Sequence, residues 1–186
     1  MRKPAKQGQL DGAGGFYAAT HALSILAPKI PREYIFEAVI WAAMQDGNPM
    51  NFVKGTRRGT VKNILSRTIA LLNAQFTDNQ FDFSIPYWQS QPEDRKAFFS
   101  TFDNLSHKNG MVAIIGYAHK PDPINHYHHW TVVREFDGEC FTTFDSGGEK
   151  IKIGMSEMRV NDPHFSYHSA QPYFMNSDDI FLVTLA

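Results

Sequence analysis

The chain has 186 residues, with 18 Lys and Arg against 19 Asp and Glu for a formal net charge of -1. That balance excludes a bulk attraction to nucleic acid or to an anionic membrane surface. Hydrophobic residues make up 42% and charged residues 20%, as in a soluble globular protein, and no run approaches the roughly 18 apolar residues of a membrane span. The single cysteine, Cys140, rules out an internal disulfide, so the fold must stand on a core rich in Phe and Tyr.

The basic opening, Met1 to Gly8, lacks the apolar stretch of a secretory signal. One domain over residues 1–186 is expected from the length. The expected location is the cytoplasm, or outside the cell by a route without a cleaved signal.

In chain order, a Gly-rich turn, Asp11-Gly12-Ala13-Gly14-Gly15, leads into a helix from Phe16 to Leu26, stopped at Pro28. Pro31 suits the first position of a second helix, because its missing N–H costs nothing there. That helix runs through Tyr34, Ile35, Ala38, Val39 and Ala42 towards Gly47. A third spans about Thr60 to Ala74, with Val61, Ile64, Leu65, Ile69 and Leu72 on one stripe. Lys54, Arg57, Arg58, Lys62 and Arg67 gather at its start and read as a solvated helix face. A fourth helix is expected from Glu93 to Leu105.

The second half changes period. Met111 to Tyr117 reads as a strand, and His129 to Glu135 and Cys140 to Asp145 read as a hairpin turning at Asp137-Gly138. Ile180 to Leu185 reads as a last strand. Helices first and strands afterwards predict an α+β fold, N-terminal helices packed on a C-terminal antiparallel β-sheet.

Three segments carry chemistry. A Gly-rich turn entering a helix puts backbone N–H groups and the positive dipole end beside residue 14, where a thiolate is stabilised. A phosphate is favoured by the same feature, but no strand precedes the turn and no Lys-Ser/Thr pair follows it. The second segment is His126-Tyr127-His128-His129-Trp130, in which a histidine at a strand start is well held to act as a base. These histidines, with His119 nearby, are also metal-donor types, but no cysteine or close carboxylate completes a shell. No metal or other cofactor is expected. The third is Phe144-Asp145-Ser146-Gly147; Asp145 ends the neighbouring strand and could orient an imidazole, or simply initiate a turn.

Taken together, Gln7, Gly8, Leu10, Asp11, Gly15 and Tyr17, then His129-Trp130, then Asp145-Ser146 resemble the motifs of papain-like cysteine peptidases. The likeness is to the bacterial branch that includes the bacteriocin-processing peptidases. The resemblance implies a papain-like fold, a protein or peptide substrate, and hydrolysis through a thioester. It implies that Gln7 and the residue 14 N–H form the oxyanion hole, that His129 is the general base and that Asp145 orients it. His128 is the alternative base, one residue away in register. Trp130, Gly15 and Asp11 would line the substrate site. A bacterial effector or toxin with a cognate inhibitor or immunity protein would be a natural setting.

Residue 14, where that family has its nucleophilic cysteine, is glycine here. Cys140 sits in a strand without an activating helix N-terminus and reads as a small buried hydrophobe. The chain as written is therefore expected to be inert in thiol-dependent hydrolysis. Gly14 reads either as a substituted nucleophile or as the mark of a natural pseudopeptidase that binds without cleaving. Glutamine deamidation or transamidation would use the same apparatus.

Overall fold

The structure, a computed structural model, describes residues 13–47, 55–119, 128–145, 152–161 and 170–186. Helix α1, Gly14–Leu26, is apolar on nearly every side, which suits a helix buried all round. Its polar residues fall inside because their hydroxyls are spent on the helix itself: Thr20 Oγ1 donates to Phe16 O and Ser24 Oγ to Thr20 O. Helices α2, Arg32–Met44, and α3, Arg58–Gln75, pack on α1 and on each other. Val61, Ile64, Leu65, Ile69 and Leu72 are all buried, forming the stripe that their spacing predicts.

Strand β1, Phe81–Ser84, follows α3 and is tied to it by the Asn73 side chain, which both donates to and accepts from the Phe81 backbone at 2.8 Å. Helix α4, Arg95–Ser100, starts at Asp94, whose Oδ1 accepts from Ala97 N at 2.7 Å. It is shorter than its sequence pattern predicts. Beyond Ser100 the chain tightens into i→i+3 turns to Leu105, which lets Phe99 and Phe102 pack against Phe136 and Phe141 of the sheet, with Phe98 behind them.

The remaining strands are β2 (Met111–His119), β3 (His128–Phe136), β4 (Cys140–Phe144), β5 (Lys152–Gly154), β6 (Met158–Val160) and β7 (Tyr173–Leu185). The sheet order is β1-β7-β2-β3-β4-β5, antiparallel throughout, with β6 added to β7 in parallel. The β3–β4 turn is made by Asp137, whose Oδ1 accepts from Glu139 N and Cys140 N, and by Gly138 at φ 92°. The architecture is thus α+β, with N-terminal helices and a C-terminal antiparallel sheet.

Alternation along the strands divides the core in two. Val112, Ile114, Trp130, Val132, Phe144, Phe181 and Val183 face α1, α2 and α3. Ala113, Ile115, Tyr117, Val133 and Phe141 face α4 and its aromatic cluster. No helix among the described residues is long and apolar enough to cross a membrane.

Candidate active site

His129 is the second residue of β3, and Asp145 follows the last residue of β4. The hairpin brings them together: His129 Nε2 lies 2.6 Å from Asp145 Oδ2. The carboxylate is buried, its side chain 4% exposed, whereas the imidazole is 29% exposed. An ionised carboxylate can only accept, so Nε2 carries a hydrogen, which in the neutral imidazole leaves the lone pair on Nδ1. Asp145 therefore leaves the histidine one basic atom and restrains its ring. Tyr117, the direct partner of His129 across β2–β3, adds an edge contact with ring centroids 5.3 Å apart. The backbone of His128 belongs to the same strand, opposite Ala118; its side chain and that of His119 lie outside the described residues.

Gly14 is the first residue of α1, half-buried, and follows the helix-capping Ala13. Ala13 has no side-chain acceptor, and among the described residues none meets the N–H groups of Gly14 or Gly15. These first-turn donors are the ones an α-helix leaves unspent. Gln7 and Asp11 lie outside the described residues.

Gly15 and Trp130 meet through Thr56, just before α3. A Cβ on Gly15 would stand 2.7 Å from Thr56 Cγ2, 2.8 Å from Thr56 Cβ and 2.9 Å from Val61 Cγ2. Only glycine allows so close an approach. Thr56 O in turn accepts from Trp130 Nε1 at 2.7 Å. Trp130 is 2% exposed, so its indole belongs to the packing that ties the start of α1 to the start of β3. Adjacent strand residues point to opposite faces. Trp130 looks toward the helices, and His129 shares the other face with Tyr117 near the strand end.

A second histidine, His21, stands two turns along α1 from residue 14. It is 1% exposed, with its ring edge-on to Phe144 at 5.1 Å. Burial, helped by the Arg32 charge and opposed by Asp145, lowers its pKa to about 4, so the imidazole is neutral at pH 7. In the sequence, the only signal for His21 is its seven-residue spacing from position 14, which repeats a helix face. The part played by Thr56 had no sequence signal, because its contact is made by a backbone carbonyl.

Among the described residues no group of three or more His, Cys, Asp or Glu is arranged to hold a metal ion; His126 is outside them. Cys140 is half-buried in β4, opposite Gly154. No family model and no curated protein matches the chain.

Proposed function

We propose that the chain has a papain-like fold and carries the base-and-orienter half of a cysteine amide hydrolase, with Gly14 at the nucleophile's position. The observation that carries this reading is the 2.6 Å bond between His129 Nε2 and the buried Asp145 carboxylate. An imidazole held in that way, with Nδ1 left basic, is what abstraction of a thiol proton needs. A thiol at position 14 would also sit at the head of α1, whose dipole lowers its pKa. The oxyanion of a tetrahedral intermediate would be met by first-turn N–H groups, with Gln7 as the second donor. His129, near the end of β3, would have to be reached around the edge of the sheet, since α1 packs on its other face.

Gly14 supplies no nucleophile, so the chain as it stands is catalytically inert and retains the means to bind. Peptide or isopeptide hydrolysis is the leading chemistry, with deamidation and transamidation of glutamine using the same groups. A protein or peptide would be the substrate, in the setting of an effector or toxin.

Restoring the nucleophile tests the reading. Gly14→Cys should become labelled at position 14 by an epoxysuccinyl peptide and should cleave amide substrates. Adding His129→Ala should lower both rates by about 10²- to 10⁴-fold. A folded Gly14→Cys protein that is neither labelled nor active would remove the hydrolase reading and leave a binding module.

A further inference from the structure

Thr131 lies two residues after His129 on β3 and shares its face of the sheet. It is 1% exposed, and its Oγ1 is buried with no hydrogen-bond partner among the described residues. The buried hydroxyls of α1, at Thr20 and Ser24, are spent on carbonyls one turn back. A strand offers no such carbonyl. Thr131 therefore needs an acceptor from a neighbouring strand, and a buried hydroxyl left without one is costly.

The register shows where that acceptor is. On the β2 side Thr131 faces Ile115, which is apolar. On the β4 side Val132 pairs with Phe144, so the next pair outward sets Thr131 against Asp145. The 2.6 Å contact between His129 and Asp145 puts the carboxylate on this same face. Residues directly opposite in an antiparallel pair have Cβ atoms about 4.5–5.5 Å apart, which a threonine hydroxyl spans by rotation about one bond. The Asp145 side chain is 4% exposed. Its carboxylate has about four acceptor positions, of which His129 Nε2 takes one.

We propose that Thr131 is a positioning residue: its hydroxyl turns about χ1 to donate to the Asp145 carboxylate, and so fixes the group that fixes His129. More than one χ1 well is open to a strand residue, so the turn needs no backbone movement. The added donor draws charge from the carboxylate and restrains its plane. The bond from His129 Nε2–H is then held in one direction, and is weaker than it would be without Thr131. The catalytic consequence rests on the hydrolase reading of this pair; the contact itself does not.

Three-bond couplings of Thr131 in the unaltered chain give χ1 directly, and should report the rotamer that aims Oγ1 at β4. Thr131→Val keeps the shape and removes the donor. It should lower the urea midpoint at neutral pH and move the His129 Nε2–H signal downfield, and Thr131→Ser should restore both. A hydroxyl that serves nothing would give the reverse, with Thr131→Val at least as stable as the parent. In the Gly14→Cys background, Thr131→Val should lower kcat for amide cleavage several-fold with KM unchanged. The proposal is overturned by a χ1 that aims Oγ1 away from β4, or by a Thr131→Val protein as stable as the parent with its Nε2–H signal unmoved. An unchanged kcat in an active Gly14→Cys protein would also overturn it. An inactive Gly14→Cys protein removes the hydrolase reading instead, and the couplings and urea midpoints on the Gly14 chain still decide the Thr131 contact.

Discussion

Replacing Gly15 by alanine probes the contact that links α1 to the Trp130 wall. The added Cβ would fall at 2.7 to 2.9 Å from three carbon atoms of Thr56 and Val61, closer than real Cβ atoms come. Thr56 cannot simply withdraw, since its carbonyl is held by the Trp130 indole. Overpacking of this kind costs about 1–3 kcal/mol. The better helix propensity of alanine returns at most about 1 kcal/mol. A net loss of about 1–2 kcal/mol is expected, or roughly 3–6 °C in Tm for a domain of this size. Urea unfolding of Gly15→Ala, followed by tryptophan fluorescence, measures the loss. Exchange of the Trp130 indole hydrogen should also quicken as Thr56 is pushed away. Thr56→Ala deletes the nearest clashing atom, so the cost of Gly15→Ala should shrink in that background. A stability equal to or above that of the parent, with indole exchange unchanged, would refute the reasoning.

Other outcomes follow from the same geometry. Trp130→Phe keeps an aromatic side chain but removes the donor to Thr56 O and part of the buried indole volume, and should cost about 1–3 kcal/mol or more in urea unfolding. His21 has its folded pKa lowered to about 4, so the unfolded chain binds the extra proton between that value and about 6.5. Stability should be complete above pH 6.5 and fall as pH drops toward 4, by up to about 3 kcal/mol. His21→Gln should flatten that pH dependence in urea midpoints measured from pH 4 to 7. In the Gly14→Cys background, Asp145→Ala should lower the rate of amide cleavage by about 10²-fold or more while circular dichroism stays unchanged, because the orienting acceptor of His129 is lost.

The helical half was legible because its apolar spacing and its Pro and Gly punctuation agree. The buried stripe of α3 is where those signals put it, and α2 starts at Arg32, one residue after the expected Pro31, which caps it instead. The sheet was only partly legible. Strand β7 begins at Tyr173, well before the apolar run at Ile180, because Asn176 to Asp179 interrupt it with polar residues. The pattern cannot show that Ser177 is partnered inside the fold, with its N–H and Oγ bonded to the Asn161 side chain. Strands β5 and β6, three residues each, are too short for period-two alternation to register. In the site, His129 and Asp145 could be singled out because a hairpin between them brings its two ends together. Trp130 could not be assigned by type alone. Tryptophan suits a binding wall as well as a core, and only the Thr56 contact decides that its N–H is spent inside.

The thiolate pKa of a cysteine introduced at position 14 is the most direct measure of the central claim. Iodoacetamide alkylation of Gly14→Cys, followed against pH with the labelled site resolved from Cys140 by mass spectrometry, gives that value. The account predicts a pKa well below the ordinary 8.5 of a cysteine thiol, rising by at least one unit when His129→Ala is added. A pKa near 8.5 that ignores His129 would contradict it, and would separate the His129–Asp145 pair from the head of α1.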